Sequence, residues 1–236
     1  MKRLLCSATL VLFVSCAFYT AQLPGSINPK NSVYVNESAG FMLALPPEWD
    51  VGTGPKTAPP AFRGTFKALQ SNSMEALFLG SNKNQRAYVR CMAEAYDSSL
   101  ESYFKLLVGA GKNELTPVRS GYFKGAGKEL IIWNYMVKSN NMDFSMIEYV
   151  FDLGALKCRL SFWTLPGLTD DYRETFEEVA RSICIFDTAS DTAAGCAKVW
   201  LAKDSAQESR PIDYGIEVKK SLINLRQKGD RKPGQP

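Results

Sequence analysis

Three apolar runs in the middle of the chain, residues 130–137, 146–152 and 157–164, are separated by eight and four residues, and that spacing dictates how they pair. The first connection carries Ser139-Asn140-Asn141 and the second Leu153-Gly154-Ala155, residues that suit tight turns. Links this short close hairpins and are too short for parallel crossovers, so the three strands form an antiparallel meander.

The flanking segments extend this frame. Residues 41–45 (Phe-Met-Leu-Ala-Leu) read as a short strand stopped by Pro46-Pro47, with Trp49 just beyond. Residues 52–61 hold three prolines and two glycines and read as a loop. Short strands are expected at 66–69 and 75–80, and a longer one at 86–96. A helix follows, with Ser98 and Glu101 as a capping box and Leu100, Phe104, Leu107 and Val108 on one stripe; Gly109 and Gly111 end it. A second helix begins near Asp171, with Glu174 completing its cap, and buries Tyr172, Phe176, Val179, Ala180 and Ile183. It runs into a short apolar end at 183–186. This order of elements predicts an α+β domain with helices packed on an antiparallel sheet.

Gly40-Phe41-x-Leu43-x-Leu45-Pro46 with Trp49 beyond it, the helix opening Ser99-Leu100-Glu101, the meander, and the closing Phe176 to Ile183 with Phe186 together resemble the PsbP/Mog1-like family over about residues 35–188. The resemblance implies an antiparallel sheet sandwiched by helices, an α/β/α arrangement. It also implies a mostly non-catalytic role: the family includes extrinsic photosystem subunits, a Ran-binding nuclear import factor and bacterial envelope lipoproteins. The chain has no histidine, so histidine-based roles in the photosystem members have no counterpart here. The envelope lipoproteins suit the N-terminus best.

That N-terminus reads as a secretory signal over residues 1–21. Lys2 and Arg3 precede an apolar run from 4 to 17, and small residues Ser15, Ala17 and Ala21 follow. Phe13-Val14-Ser15-Cys16 resembles a lipoprotein box in which Cys16 takes the lipid; cleavage after Ala17 or Ala21, or an uncleaved anchor, are the competing outcomes. Residues 22–34 read as a tether, 35–188 as the domain, 189–226 as a C-terminal extension and 227–236 as a basic disordered tail. The formal charge of +4 sits at the ends of the chain, in Lys2, Arg3 and the lysines and arginines after residue 216, leaving a slightly acidic middle. A near-neutral core argues against nucleic acid as a partner. Cys91, Cys158, Cys184 and Cys196 remain beyond the signal. Cys184 and Cys196 bracket a short polar segment and form the favoured disulfide, while Cys91 and Cys158 either bond or stay as buried thiols.

Without histidine, Ser-His-Asp and Cys-His catalysis and His-containing zinc or haem sites are excluded. Gly125-Ala126-Gly127-Lys128 lacks the residues of a phosphate loop and precedes a strand. Ser102-x-x-Lys105 lies opposite the apolar stripe, and the acidic cluster Asp170, Asp171, Glu174, Glu177 and Glu178 suits a helix start. No catalytic residue, metal ligand or cofactor is assigned. The aromatic residues Trp133, Tyr135, Tyr149, Phe162 and Trp163 are either sheet core or the lining of an apolar cleft. The sequence therefore points to a non-enzymatic exported protein, periplasmic or anchored at the cell envelope of a bacterium through Cys16. It would bind a protein partner or an envelope component, with carriage of a small hydrophobic ligand as the alternative.

Overall fold

The computed structural model describes residues 25–69, 74–110, 115–125, 128–186 and 210–211. The eight-stranded sheet at its centre is antiparallel throughout, as the short links require. In spatial order it holds β12 (Arg210–Pro211), β7 (Leu115–Gly125), β8 (Lys128–Ser139), β9 (Met142–Asp152), β10 (Leu156–Thr164), β6 (Ala87–Ala95), β5 (Met74–Asn82) and β4 (Trp49–Gly52). A second antiparallel sheet joins β1 (Ser26–Asn28), β2 (Val33–Asn36), β3 (Phe41–Ala44) and β11 (Cys184–Ile185).

The meander is built as its turns dictate. Asn140 and Asn141 both take positive φ, at 50° and 63°, the two-residue conformation whose twist matches that of the flanking strands. It sets Ser139 opposite Met142 and hence the whole β8–β9 register. Between β9 and β10, Gly154 at φ 80° lets the chain reverse, and the Lys157 ammonium ties the turn by donating to Asp152 at 3.0 Å and to the Gly154 carbonyl at 2.5 Å.

Three helices cover the large sheet. On one face lie α1 (Arg63–Leu69), over β5, and α2 (Leu100–Ala110), over β9. The other face carries α3 (Thr169–Arg181) together with the small sheet. There Phe176, Val179, Ala180 and Ile183 pack with Tyr34, Phe41 and Leu43 onto Phe78, Val89, Tyr149, Leu160 and Phe162. The architecture is α+β, an antiparallel sheet between helices, with a small sheet sharing one outer layer.

Several expectations need correction. Residues 66–69 are the end of helix α1, not a strand: Phe66 is its anchor, buried against Ala58, Ala76 and Leu79. Strand β7 was not anticipated at all. The α2 cap is Ser99 and not Ser98; the Ser99 hydroxyl accepts the Ser102 backbone N–H at 3.2 Å, and α2 continues through Gly109 to Ala110. Helix α3 starts at Thr169 after a short 3-10 turn, and its cap position, Leu168, offers no side-chain acceptor. The supposed tether already contains β1, paired antiparallel with β2. The signal segment with Cys16, nearly all of the C-terminal extension including Cys196, and the basic tail lie outside the described residues.

Candidate functional site

The register of the large sheet lines up side chains in rows on the face beneath α1 and α2. One row runs Leu79, Arg90, Ser161, Glu148, Trp133 across β5, β6, β10, β9 and β8. Its neighbours are Tyr88, Trp163, Met146, Tyr135 on one side and Met92, Arg159, Val150, Ile131 on the other. Tyr103 and Phe104 of α2 pack on Ile131, Trp133, Tyr135, Met146 and Val150. Phe66 of α1 packs on Ala76 and Leu79, with Trp163 at the margin of both clusters. The stretch of β6 and β10 between the two helices is left to charged groups.

Glu148 is fully buried there and is held by donors on every side. Arg159 Nη2 donates to both carboxylate oxygens, at 2.9 and 3.1 Å, and the Ser161 hydroxyl donates to Oε1 at 2.7 Å. Arg90 Nη2 reaches the same oxygen at 3.4 Å, and Arg90 Nε reaches Ser161 Oγ at 3.3 Å. The two arginine side chains keep 23% and 16% of their surface exposed, against none for Glu148, so their outer edges are open to solvent. Arg159 Nε is buried without a hydrogen-bond partner. The Arg90 guanidinium also sits 5.8 Å from the ring centre of Trp163, which stacks on Tyr88 at 5.3 Å and 11°.

Burial alone would raise the Glu148 carboxyl, but Arg159, then Arg90 and the Ser161 hydrogen bond overcome it and hold the group down at about 2. Burial likewise disfavours charge on Arg159, and the Glu148 carboxylate more than offsets this, fixing it as a cation. Tyr135 and Tyr103 are pushed up by burial, with Glu148 adding to the effect at Tyr135 and the hydrogen bond to Glu94 at Tyr103. Tyr103 donates to Glu94 Oε2 at 2.7 Å. The cluster thus holds two permanent cations and one permanent anion. A carboxylate locked in its charged form is poorly matched to proton transfer near neutrality. What the arrangement does well is present fixed positive charge at a rigid sheet surface. Among the described residues no three Cys, Asp or Glu side chains converge as metal ligands do.

The cyanobacterial PsbP (CyanoP) from Synechocystis sp. is 11% identical, with a TM-score of 0.46, and the likeness covers 65% of this chain and 91% of that one. A protein from Bacteroides thetaiotaomicron is 11% identical, with a TM-score of 0.45 over 86% of this chain and 71% of that one. LpqN, involved in cell envelope biogenesis of Mycobacterium tuberculosis, is 10% identical, with a TM-score of 0.42 over 62% of this chain and 83% of that one. No family model matches the sequence, and no curated protein matches it.

The five aromatic candidates are not brought together. Trp133 and Tyr135 lie under α2 with rings 4.2 Å apart, and Phe104 meets Trp133 edge-on at 5.5 Å. Tyr149 and Phe162 point to the opposite face, where Phe162 stacks on Phe176 at 4.5 Å and packs edge-on to Tyr149 and Trp49. Trp163 stands beside the charged cluster, half-buried. Cys91 and Cys158 are free and buried, diagonal to each other on β6 and β10. Cys184 is not among the free thiols. Ser102 and Lys105 are exposed, and Asp170 and Glu177 pair with Arg173 and Arg181 on the surface of α3.

Arg90, Glu148, Ser161 and Arg159 were missed in the sequence. One signal was available. Glu148 interrupts an apolar strand, on the same face as Met146 and Val150, and a charge at such a position requires partners. Arg159 and Arg90 stand likewise in apolar runs, at positions that strand alternation assigns to one face.

Proposed function

We propose that this chain is a non-catalytic, exported protein of the bacterial cell envelope. It binds a protein partner or an envelope component on the sheet face between α1 and α2. The observation that carries this reading is the pair of mostly buried arginines, each with an outer edge open to solvent, fixed by the buried Glu148 in the gap between the helices. Arginine and aromatic side chains in partly desolvated settings are enriched among the anchors of binding surfaces. The apolar signal at residues 1–21 supports export, Cys16 supplies the lipid attachment point, and Cys184 with Cys196 closes a disulfide in that oxidising setting.

Two measurements test this. Intact mass spectrometry of membrane and soluble fractions from the native host should find a chain beginning at Cys16 with a lipid adduct. A chain retaining residues 1–15 would refute export processing. A photo-crosslinking residue placed at Tyr88, which stacks on Trp163 beside Arg90, or at Leu107 on the margin of the α2 cluster, should capture an envelope component in cells, whereas one at Asp170 on the far helix should not. Equal capture from all three positions would remove the proposed surface.

A further inference from the structure

We infer that Arg90 and Arg159 form a site for a monoanionic oxyanion, a carboxylate or a phosphate diester. This deepens the binding reading above and rests on it. The charges argue for it first. Two guanidinium groups face one carboxylate, and among the described residues no other acid comes within 4.0 Å of either. Glu94, the next acid on this face, lies beyond that distance and accepts from the neutral Tyr103 hydroxyl. Within that contact distance one positive charge is left over in a partly desolvated place, and a single negative charge neutralises it. A dianion would face the fixed charge of Glu148 across the same guanidinium groups.

Donor capacity gives the second argument. Each guanidinium carries five N–H groups in a flat fork that suits carboxylate and phosphate oxygens. Glu148 and Ser161 engage only Nε and Nη2 of Arg90 and Nη2 of Arg159. Arg159 Nε is buried with no acceptor, a costly omission that an incoming oxygen corrects. The third argument is preorganisation. Glu148 lies beneath both arginines and Trp163 beside Arg90, so the forks are held before any ligand arrives. Ligand carbon next to the oxyanion would meet Trp163 and Tyr88, which are half-buried at the edge of the site.

The test follows the arginine Nε–H resonances of the full mature chain by NMR, during titration with acetate, diethyl phosphate or inorganic phosphate. Arg90→Lys and Arg159→Lys assign the signals. The expected result is saturable movement of the Arg159 and Arg90 signals with acetate or diethyl phosphate, weakened by about tenfold or more in either lysine variant, which keeps the charge but loses the fork. Glu148→Gln raises the site to two uncompensated charges. It should tighten inorganic phosphate by about tenfold, a gain that misfolding cannot imitate. Response to acetate alone names a carboxylate, and response to diethyl phosphate alone names a phosphodiester. Vesicles containing phosphatidylglycerol then separate a lipid headgroup from a soluble diester. Linear, unsaturated shifts shared by all arginines, or a Glu148→Gln variant that binds phosphate no better, would overturn the site. If crosslinks still arise at Tyr88 and Leu107 in that case, only the anion falls and the binding surface stands.

Discussion

Glu148 and Arg159 depend on each other more than either depends on the rest of the fold. Arg159→Met leaves the carboxylate buried with Arg90 only 3.4 Å away and Ser161, and should cost about 3 kcal/mol in urea unfolding, the usual penalty for breaking a buried pair. The double change Glu148→Met with Arg159→Met should recover most of that loss, because no charge is then stranded. The same carboxyl predicts a pH dependence. Its folded-state value of about 2 lies below the ordinary 4.5, so its contribution is complete above about 4.5 and disappears as pH falls toward 2. Unfolding midpoints taken across that window should drop for the native chain and flatten in Glu148→Gln. Little of this cluster was legible in the sequence. Arg90, Glu148 and Arg159 come from three strands, and only the register places them in contact; each on its own looks like an ordinary charged residue. The aromatic residues were legible by face, since alternation alone separates Phe162 from Trp163, but not by role.

Helix α2 and the β8–β9 hairpin show how local chemistry sets an element's ends. Ser99→Ala should cost about 1 kcal/mol in thermal or urea unfolding, while Ser98→Ala should cost almost nothing, because only Ser99 accepts a first-turn N–H. In the hairpin, Asn140→Val should destabilise by about 1–2 kcal/mol, since a β-branched residue resists positive φ, and Asn140→Gly should be tolerated. The elements that the sequence made plain are those with long periodic patterns: β6, β8, β9, β10, α2 and α3. Those it concealed lack such patterns. Helix α1 spans Arg63–Leu69 and includes Gly64 and Thr65, both poor helix formers, so its form comes from burying Phe66 against β5. Strand β7 is broken by Pro117, Gly121 and Gly125, which read as turn residues until a partner strand is present. Its pairing shifts register between Pro117 and Arg119, an irregularity that accommodates the missing proline N–H.

Across the whole molecule, the large sheet separates two environments: an apolar core shared with α3 and the small sheet, and a face where helices alternate with charge. Cys91 and Cys158 lie sealed in the first, and burial pushes the Cys91 thiol well up. Both should resist a thiol reagent in the native chain and react only at the rate of global unfolding, becoming fully accessible in strong denaturant; rapid native labelling would contradict their burial. The ionic row has a consequence for assembly. A slip of β9 by one residue would swing Glu148 through the sheet among Val89, Leu160 and Phe162, bring Tyr149 to the other face in its place, and leave two arginines with no counter-ion between them. A misaligned sheet would be electrically intolerable and not merely looser, so a handful of charges proof-reads the pairing of strands that hydrophobicity alone would let slide.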